Sequence, residues 1–325
     1  MKLRFVTNAG MDTPQCACRL RGMRLLLHLL ALLLSATAVH AQLRPSRTWE
    51  SDVTRMHTTQ GVMPSLRGGA EIQRTMGSYG GEQAWQFRTH VQAEPFRFTD
   101  STDAVQITTT IEAHQELTAN PHNDITFNPR AMRWEEYLWL QIGLPDVSLR
   151  AGFVHRCKHD IDNLGGADEF NPVNPLDAEQ RTVILTGPAL AASIAPITTV
   201  VGTLRASGGV EYFINASDTR TPASIGGSWS GMQGAAWLRA SATYPLSSLL
   251  ALQLDAFGSM PWFTSHRTRR TTLPFDARAD LALVLTGRAA TIHLAVTAER
   301  FFDEITITRP RATQFVGVAV KFMPK

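Results

Sequence analysis

Apolar and polar residues alternate one by one along this chain, in segments of about ten residues. In 275–286, for example, Ala279 and Leu281 alternate with Arg278 and Asp280. Because successive side chains of a β-strand point to opposite faces, each segment predicts a strand with one apolar and one polar face. The same pattern occurs in 82–98, 104–117, 132–144, 147–159, 291–300 and 312–323. No segment shows a sustained helical period, so the sequence predicts an all-β protein.

The links between these segments follow a regular order of lengths. Short links are predicted at 99–103, 145–146, 207–209, 245–248 and 287–289, and long polar links at 119–130, 160–181, 216–233, 261–271 and 303–311. Short periplasmic turns and long external loops are typical of barrels in the bacterial outer membrane. A soluble periplasmic β-protein is the alternative, but a sandwich gives no reason for this rhythm. We therefore predict an up-and-down antiparallel transmembrane β-barrel.

The rhythm of the links also predicts the number of strands. The last long link must be external, so the final strand runs towards the periplasm, and counting back gives 82–98 the same direction. Because bacterial barrels have an even number of strands, one more strand should precede this segment. Its best candidate lies within 46–60, with the glycine-rich stretch 61–81 as the first external loop. The prediction is about twelve strands, with 42–81 as an N-terminal segment and 82–325 as the barrel.

Residues 1–41 are predicted to be a leader that the mature protein lacks. Within it, 23–41 combine a positive charge at Arg24, an apolar run at 25–34 and small residues before Gln42. This order is typical of a secretory signal peptide, and the apolar run is too short to span a bilayer, which takes roughly 20 residues. We therefore expect export through the general secretory route and insertion into the outer membrane of a bacterial cell.

Charge and cysteine content narrow the choice of partners. The chain carries 31 Lys and Arg against 28 Asp and Glu, and removal of the leader leaves a net charge of −1. Such a balance gives no basis for binding nucleic acid. The leader also takes Cys16 and Cys18 with it and leaves Cys157 alone, so we expect no intrachain disulfide.

The last strand carries a possible assembly signal. Gly317, Val320 and Phe322 resemble the glycine and the two hydrophobic positions of the terminal-strand signal of outer-membrane barrels. The resemblance implies recognition by the barrel assembly machinery. The other expected partners are the lipids of the outer membrane.

One segment places polar residues on the apolar face of its strand. If the strand continues from Leu149 through Phe153, then His155, Cys157 and His159 share their outward face near the outer leaflet. Unexpected polar residues at membrane depth are candidates for function.

His155 and Cys157 are similar to the His-x-Ser pair of outer-membrane phospholipase A and of the lipid A deacylase of the outer membrane. The resemblance implies an acyl hydrolase that acts on outer-leaflet lipids, with His155 as the base and Cys157 in place of the serine nucleophile. Residues i and i+2 of a strand share a face about 6.7 Å apart, and a thiolate beside an imidazole can attack an acyl group. The third member stays open among Asp160, Asn163, Asn171 and Asn174.

Two other interpretations compete for this segment. His155 and His159 lie about 13 Å apart on a strand, too far to share a metal ion, whereas Asp160 and Asp162 could offer oxygen ligands to calcium. The simpler interpretation is a strand end that meets lipid headgroups, where Lys158 and its basic neighbours balance phosphates.

The expected role is therefore that of a structural barrel or a passive channel, with a lipid acyl hydrolase as the alternative. No cofactor is expected, except calcium if the protein is an acyl hydrolase. The predicted lumen mixes charges of both signs, which fits either a plugged interior or a path for small solutes. These lumenal residues are Arg88, Glu112, Arg150, Arg239, Asp255, Asp276, Arg278, Asp280 and Glu299. The sequence leaves the oligomeric state open.

Overall fold

The computed structural model describes residues 61–76, 84–99, 105–120, 127–160, 182–218, 231–263, 275–301 and 313–324. The chain divides into two units, 1–39 and 40–325. The predicted leader and its signal peptide lie outside the described residues. Among the residues that are described, no helix has the length and apolar character needed to cross a membrane.

Fourteen strands make up one antiparallel sheet. They are β1 (Gly61–Met76), β2 (Trp85–Thr99), β3 (Gln106–Asn120), β4 (Asn128–Gly143), β5 (Val147–Asp160), β6 (Thr182–Ile194), β7 (Ile197–Thr199), β8 (Gly202–Tyr212), β9 (Asn215–Asp218), β10 (Met232–Pro245), β11 (Leu250–Phe263), β12 (Asp276–Thr286), β13 (Ala290–Phe301) and β14 (Thr313–Pro324).

The sheet closes on itself. Strand β1 pairs with β14, and the pairing of β6 with β8 completes the ring of twelve long strands. The short β7 pairs only with the start of β8, and the short β9 continues the direction of β8 along β6. A closed ladder leaves no open edge, which is the condition for a sheet to span hydrocarbon. The predicted up-and-down barrel of about twelve strands is confirmed.

The predicted rhythm of links is found only after β4, because the connections 100–105 and 121–127 on either side of β3 have nearly the same length. The connections 144–146, 246–249 and 287–289 lie at one end of the barrel. The longer stretches 161–181 and 264–275 separate strands at the other end. We call the first end the periplasmic end and the second the outer end, after the rule for bacterial barrels.

The predicted position of the first strand is wrong. The stretch assigned to an external loop, 61–81, contains β1, which pairs with both β2 and β14. Its alternation is hard to see because Gly68 and Gly69 occupy successive positions and Arg74 stands on the outward face. Gly68 has little room for a larger side chain, since a Cβ atom there would lie 2.9 Å from the carbonyl oxygen of His90.

The predicted short link at 207–209 is also wrong. These residues lie inside β8, opposite Trp237 of β10 and its neighbours, whereas β6 and β8 are connected by 195–201. The glycines suggested a turn, but the structure uses Gly209 for packing. A Cβ atom at Gly209 would lie 2.7 Å from the ring of Trp237, so only glycine leaves room for that ring.

The two faces of the wall differ as the alternation predicts. Outward side chains such as Leu138, Leu281 and Val318 are about half exposed, and inward side chains are buried and mostly polar. The charges predicted to face the lumen do so, which confirms the parity of the strands. Buried among them are Arg88, Glu112, Arg150, Asp276, Arg278, Asp280 and Glu299, and partly buried are Arg239 and Asp255.

Candidate functional site

A buried arginine joins several strands inside the barrel. Arg88 of β2 is 1% exposed, and its guanidinium forms an ion pair with Glu71 of β1. Its Nε donates to Glu116 Oε2 at 3.1 Å and its Nη1 to Gln73 Oε1 at 2.7 Å. Its Nη2 lies 3.4 Å from Glu299 Oε2 of β13, two strands beyond β1. One side chain therefore links four strands of the wall through the lumen.

A second set of ion pairs extends this network. Arg278 of β12 donates to Glu71 Oε1 at 2.9 Å and to Asp280 Oδ1 at 2.8 Å. Lys321 of β14 lies 2.7 Å from Asp280 Oδ2 and 3.9 Å from Asp255 Oδ2 of β11. Since β12 and β1 are not neighbours in the sheet, the Arg278–Glu71 pair also crosses the interior.

The opposite part of the wall holds a separate cluster. Arg156 of β5 donates from Nη2 to Glu211 Oε1 of β8 at 2.5 Å and to Tyr137 Oη of β4 at 3.1 Å. Tyr137 Oη in turn donates to Glu211 Oε1 at 3.1 Å. The guanidinium also lies over the ring of Phe213, 5.6 Å from its centroid. The charge of this arginine is therefore compensated within the wall.

A cluster of buried apolar side chains lies beside this ion-pair cluster. The rings of Tyr137 and Trp139 stack with centroids 5.2 Å apart. Gly152 makes room for Trp139, because a Cβ atom there would lie 2.8 Å from its ring and 2.1 Å from the carbonyl oxygen of Leu138. The buried members of this cluster are Tyr137, Trp139, Val154, Val183, Leu185, Ala189, Phe213, Met232 and Ala235.

The outer face carries a row of polar residues on the same side of the barrel. Glu136 of β4 is the register partner of His155 of β5, which is the partner of Thr186 of β6. We call these three residues the polar row. Below it, towards the periplasm, the same faces carry Leu138 and Phe153.

Within the described part of the chain, the hydrogen-bond partner of His155 is Thr186 rather than the predicted nucleophile, Cys157. His155 Nδ1 lies 2.9 Å from Thr186 Oγ1, within hydrogen-bonding distance. Cys157 Sγ instead contacts His159 Nε2 at 2.5 Å, and His159 Nδ1 lies 3.3 Å from Thr182 Oγ1. A thiol, an imidazole and a hydroxyl thus form a chain on the outward side of β5 and β6. Of the two histidines, His159 is therefore the one whose ring contacts Cys157 Sγ.

The sequence could not distinguish the two histidines. They stand at equal spacing on either side of Cys157, so both share its face. The choice depends on the hydroxyls of Thr182 and Thr186 on the neighbouring strand, which were not singled out in the sequence. Because antiparallel pairing brings together residues far apart in sequence, the register must be known first.

Two features of this region set its chemistry. Cys157 is free and only 9% exposed, although it points outwards beside Trp134. Glu136 is exposed and makes no hydrogen bond or ion pair with the residues that the structure describes. Glu136 was missed, but it was detectable, because it occupies an apolar position of 132–144 between Trp134 and Leu138.

The predicted calcium ligands stand at the outer end of β5 and beyond it. Asp162 and the side chain of Asp160 lie outside the described residues. Within the described part of the chain, no group of three or more His, Cys, Asp or Glu residues is arranged to hold a metal ion.

The residues of the predicted assembly signal lie on both faces of β14. Val320 and Phe322 point outwards and are about half exposed. Gly317 is buried, and a Cβ atom there would lie 2.7 Å from the carbonyl oxygen of Arg74 on β1. Gly317 thus permits close approach at the seam that closes the barrel. Recognition by an assembly machinery stays a prediction.

A closed antiparallel barrel with an apolar exterior and a polar, charged interior defines the class: the chain folds as an up-and-down β-barrel of the kind that spans a membrane. No family model matches the chain, and no curated protein matches it.

The chain is similar to several solved structures. One is an outer membrane channel from Pseudomonas putida F1, with 9% identity, coverage of 85% of this chain and 100% of that one, and a TM-score of 0.43. Another is LpxR from Salmonella typhimurium, with 9% identity, coverage of 79% and 99%, and a TM-score of 0.38. A third is the translocator domain of the autotransporter NalP from Neisseria meningitidis, with 13% identity, coverage of 82% and 90%, and a TM-score of 0.36.

Proposed function

We propose that the protein is a structural outer-membrane barrel whose own side chains keep the lumen closed. The observation that carries this proposal is the pairing of charges between strands that are not neighbours. Arg88 reaches Glu299, and Arg278 reaches Glu71. Removing one partner of such a buried pair typically costs about 3–5 kcal/mol, because it leaves an uncompensated charge. The network therefore resists opening.

Burial favours a closed lumen over a passive channel. A water-filled pore leaves the charged side chains along its wall accessible, yet Arg88 and Arg156 are each 1% exposed. The apolar cluster around Trp139 supports the same conclusion, since aromatic and aliphatic side chains facing a wide aqueous path would be wetted.

Conductance tests the proposal. We expect the wild-type barrel in a planar lipid bilayer to show no steady current, and the variant Arg88→Ala to conduct, because its loss leaves three carboxylates without their common partner and admits water. Arg205→Ala is the matched control. Arg205 has the inward parity of β8 but is exposed near the periplasmic end, so its loss should leave the lumen closed. A stable open-channel current in the wild type would overturn the proposal.

A second candidate function, acyl transfer at Cys157, is favoured by the contact between Cys157 Sγ and His159 Nε2. In this reaction His159 accepts the thiol proton, and the thiolate attacks the carbonyl carbon of a lipid ester. The ester C–O bond breaks, the alcohol leaves with the proton from His159, and the acyl group stays on sulfur until water releases the fatty acid. Thr182 orients the ring through Nδ1. The substrate class, outer-leaflet lipids, comes from the family resemblance and the outward position of the thiol.

Release of fatty acid from lipid vesicles tests the second candidate. We expect Cys157→Ala to abolish release and His159→Gln to lower it by roughly 10²–10⁴-fold, the usual contribution of a general base. His155→Gln is the matched control, because His155 contacts Thr186 instead of the thiol. If fatty acid is still released by the Cys157→Ala variant, or by the wild type after its thiol is alkylated, Cys157 is not the nucleophile. We propose no cofactor, apart from calcium if this activity is found.

Export and assembly belong to the same proposal. We infer that the general secretory route exports the chain after recognition of 23–41, and that the barrel assembly machinery recognises Gly317, Val320 and Phe322. Outer-membrane lipids are the remaining partner, because the exposed side chains of the wall are apolar. Deletion of 322–325 should lower the amount of folded barrel in the outer membrane, and an unchanged amount would exclude Phe322 from the signal.

A further inference from the structure

The polar row lies at a depth where the barrel should meet hydrocarbon. For a strand tilted by roughly 40°, Glu136 is about 18 Å above Gly143 along the membrane normal, inside an apolar band about 25 Å tall. On its strand, Leu138, Leu140 and Ile142 lie below Glu136, and Trp134 lies above it. An ionisable side chain at this depth is costly and marks a functional surface by default.

The polar atoms of this row are only partly used within one chain. Thr186 Oγ1 occupies His155 Nδ1, which leaves Nε2 of that ring without a partner in the described part of the chain. Glu136 is exposed and likewise lacks a hydrogen bond or ion pair among the described residues. An acceptor and a ring nitrogen, on adjacent strands and in register, therefore both face away from the barrel.

We propose that this face, the outward side of β4 and β5, is the contact surface of a homodimer with a two-fold axis along the membrane normal. Such an axis keeps every residue at its own depth in the membrane. It places a residue of one copy opposite the residue of the second copy that lies equally far on the other side of the axis. For strands 4.8 Å apart and tilted by roughly 40°, register partners differ in depth by only about 3 Å, which both side chains can span. Glu136 of one copy then meets His155 of the other, and the contact is repeated by symmetry.

Charge complementarity identifies a second copy of the chain as the occupant. A face that carries an acid and a base offers each of them a partner when it meets a second copy of itself, whereas a purely apolar partner offers neither of them a hydrogen bond. The surrounding residues suit the same contact. Leu138, Leu140 and Phe153 are 57%, 50% and 43% exposed and offer an apolar surface below the polar row. The inference is independent of the closed lumen, but it competes with the acyl-transfer candidate, because Cys157 lies on the same outward face of β5 as His155.

The wild-type protein gives the first test. Donor- and acceptor-labelled copies are reconstituted together in phosphatidylcholine vesicles, and energy transfer is measured while unlabelled lipid dilutes the protein. We expect transfer to persist on dilution until the dimer dissociates and to be lost when unlabelled protein is added in excess. Transfer no greater than that of randomly distributed monomers at every dilution overturns the proposal. The polar row would then be satisfied by lipid headgroups or by another protein.

A disulfide experiment tests the geometry. In a background with Cys16, Cys18 and Cys157 changed to serine, a Glu136→Cys copy is mixed with a His155→Cys copy and oxidised. We expect cross-linked dimers between the two variants in high yield. The matched control mixes Leu281→Cys with Val296→Cys, which are also outward register partners on adjacent strands but lie on the opposite side. Equal yields from both mixtures overturn the proposed interface.

Exchanging Glu136 and His155 tests whether dimerisation depends on the contact between these two residues or only on the presence of polar side chains. Glu136→Leu should weaken dimerisation by roughly ten-fold, since it removes two symmetric contacts of about 0.6–1 kcal/mol each. The double variant Glu136→His with His155→Glu restores the pair in reverse and should recover most of the affinity. Folding of each variant is checked by gel migration of heated and unheated samples. Failure of a folded double variant to recover dimerisation would exclude the Glu136–His155 contact.

Discussion

The outer surface of the barrel is built in two different ways on its two sides. On β12 and β13 the outward residues are apolar along most of the strand. They are Ala277, Ala279, Leu281, Leu283 and Leu285 on β12, and Ile292, Leu294, Val296 and Ala298 on β13. We call this side the intact face. On β4 and β5 the apolar series ends at Leu138 and Phe153, and the polar row follows.

Both sides share the same ladder, so the difference is not one of folding. The hydrogen bonds of a closed barrel are satisfied whichever residues face outwards, and the lumenal side chains of both sides are buried. What differs is the neighbour that each outward face can accept. The intact face suits lipid chains, whereas the polar row requires a partner that offers hydrogen bonds.

The largest effect should come from placing a charge on the intact face. Leu281→Arg is expected to lower the free energy of unfolding by about 2–4 kcal/mol, the cost of an arginine near the bilayer midplane. Glu136→Arg should lower it by about 1 kcal/mol or less, because that position already holds an ionisable group. Denaturant unfolding of the barrel in lipid vesicles measures both. Equal losses would show that the two faces meet the same surroundings.

A smaller effect is expected from adding a side chain at a glycine in the barrel wall. Gly152→Ala on β5 should lower the free energy of unfolding by about 1–3 kcal/mol, because its Cβ atom would overlap the carbonyl of Leu138 and the ring of Trp139. Gly258→Ala on β11 is the control. Its nearest neighbour would be 3.9 Å away, so the change should stay within about 0.5 kcal/mol. A neutral Gly152→Ala would contradict the packing described for Trp139.

The smallest effect concerns the hydroxyl of the polar row. Thr186→Val keeps the shape of the side chain and removes the contact with His155 Nδ1, so we expect a loss of about 0.5–1.5 kcal/mol. Thr109→Val on β3 is the control, since the Thr109 hydroxyl makes only a long, exposed contact of 3.5 Å with the carbonyl of Phe96. The same unfolding measurement applies. A gain in stability for Thr186→Val would mean that this hydroxyl does not hold the ring.

Alternation failed as a guide where glycines interrupt it. The first strand was placed too early and a link was placed inside β8, because Gly68, Gly69, Gly208 and Gly209 contribute no side chain to either face. In both strands the glycines permit close packing, which depends on the neighbouring strand. A turn and a packing site look alike in sequence, since both favour the same residue.

The candidate catalytic residues stay a prediction, and the structure adds which of their side chains are in contact. The parity of β5 indicated that His155, Cys157 and His159 share a face, and the family resemblance selected His155 as the base. The structure gives the contact to His159 instead, because the threonines of β6 hold the two rings in different places.

The sequence by itself determined that the chain forms strands and which side chains face inwards, because the two-residue period of a strand is a local property. The number of about twelve followed from the rhythm of the links. Only the tertiary structure decided which side chains meet: Arg88 with Glu299 across the lumen, Cys157 with His159, and Glu136 beside His155. These contacts depend on the register of the strands and on the closure of the barrel, which bring distant segments together. Neither can be predicted from the alternation of residues within one strand.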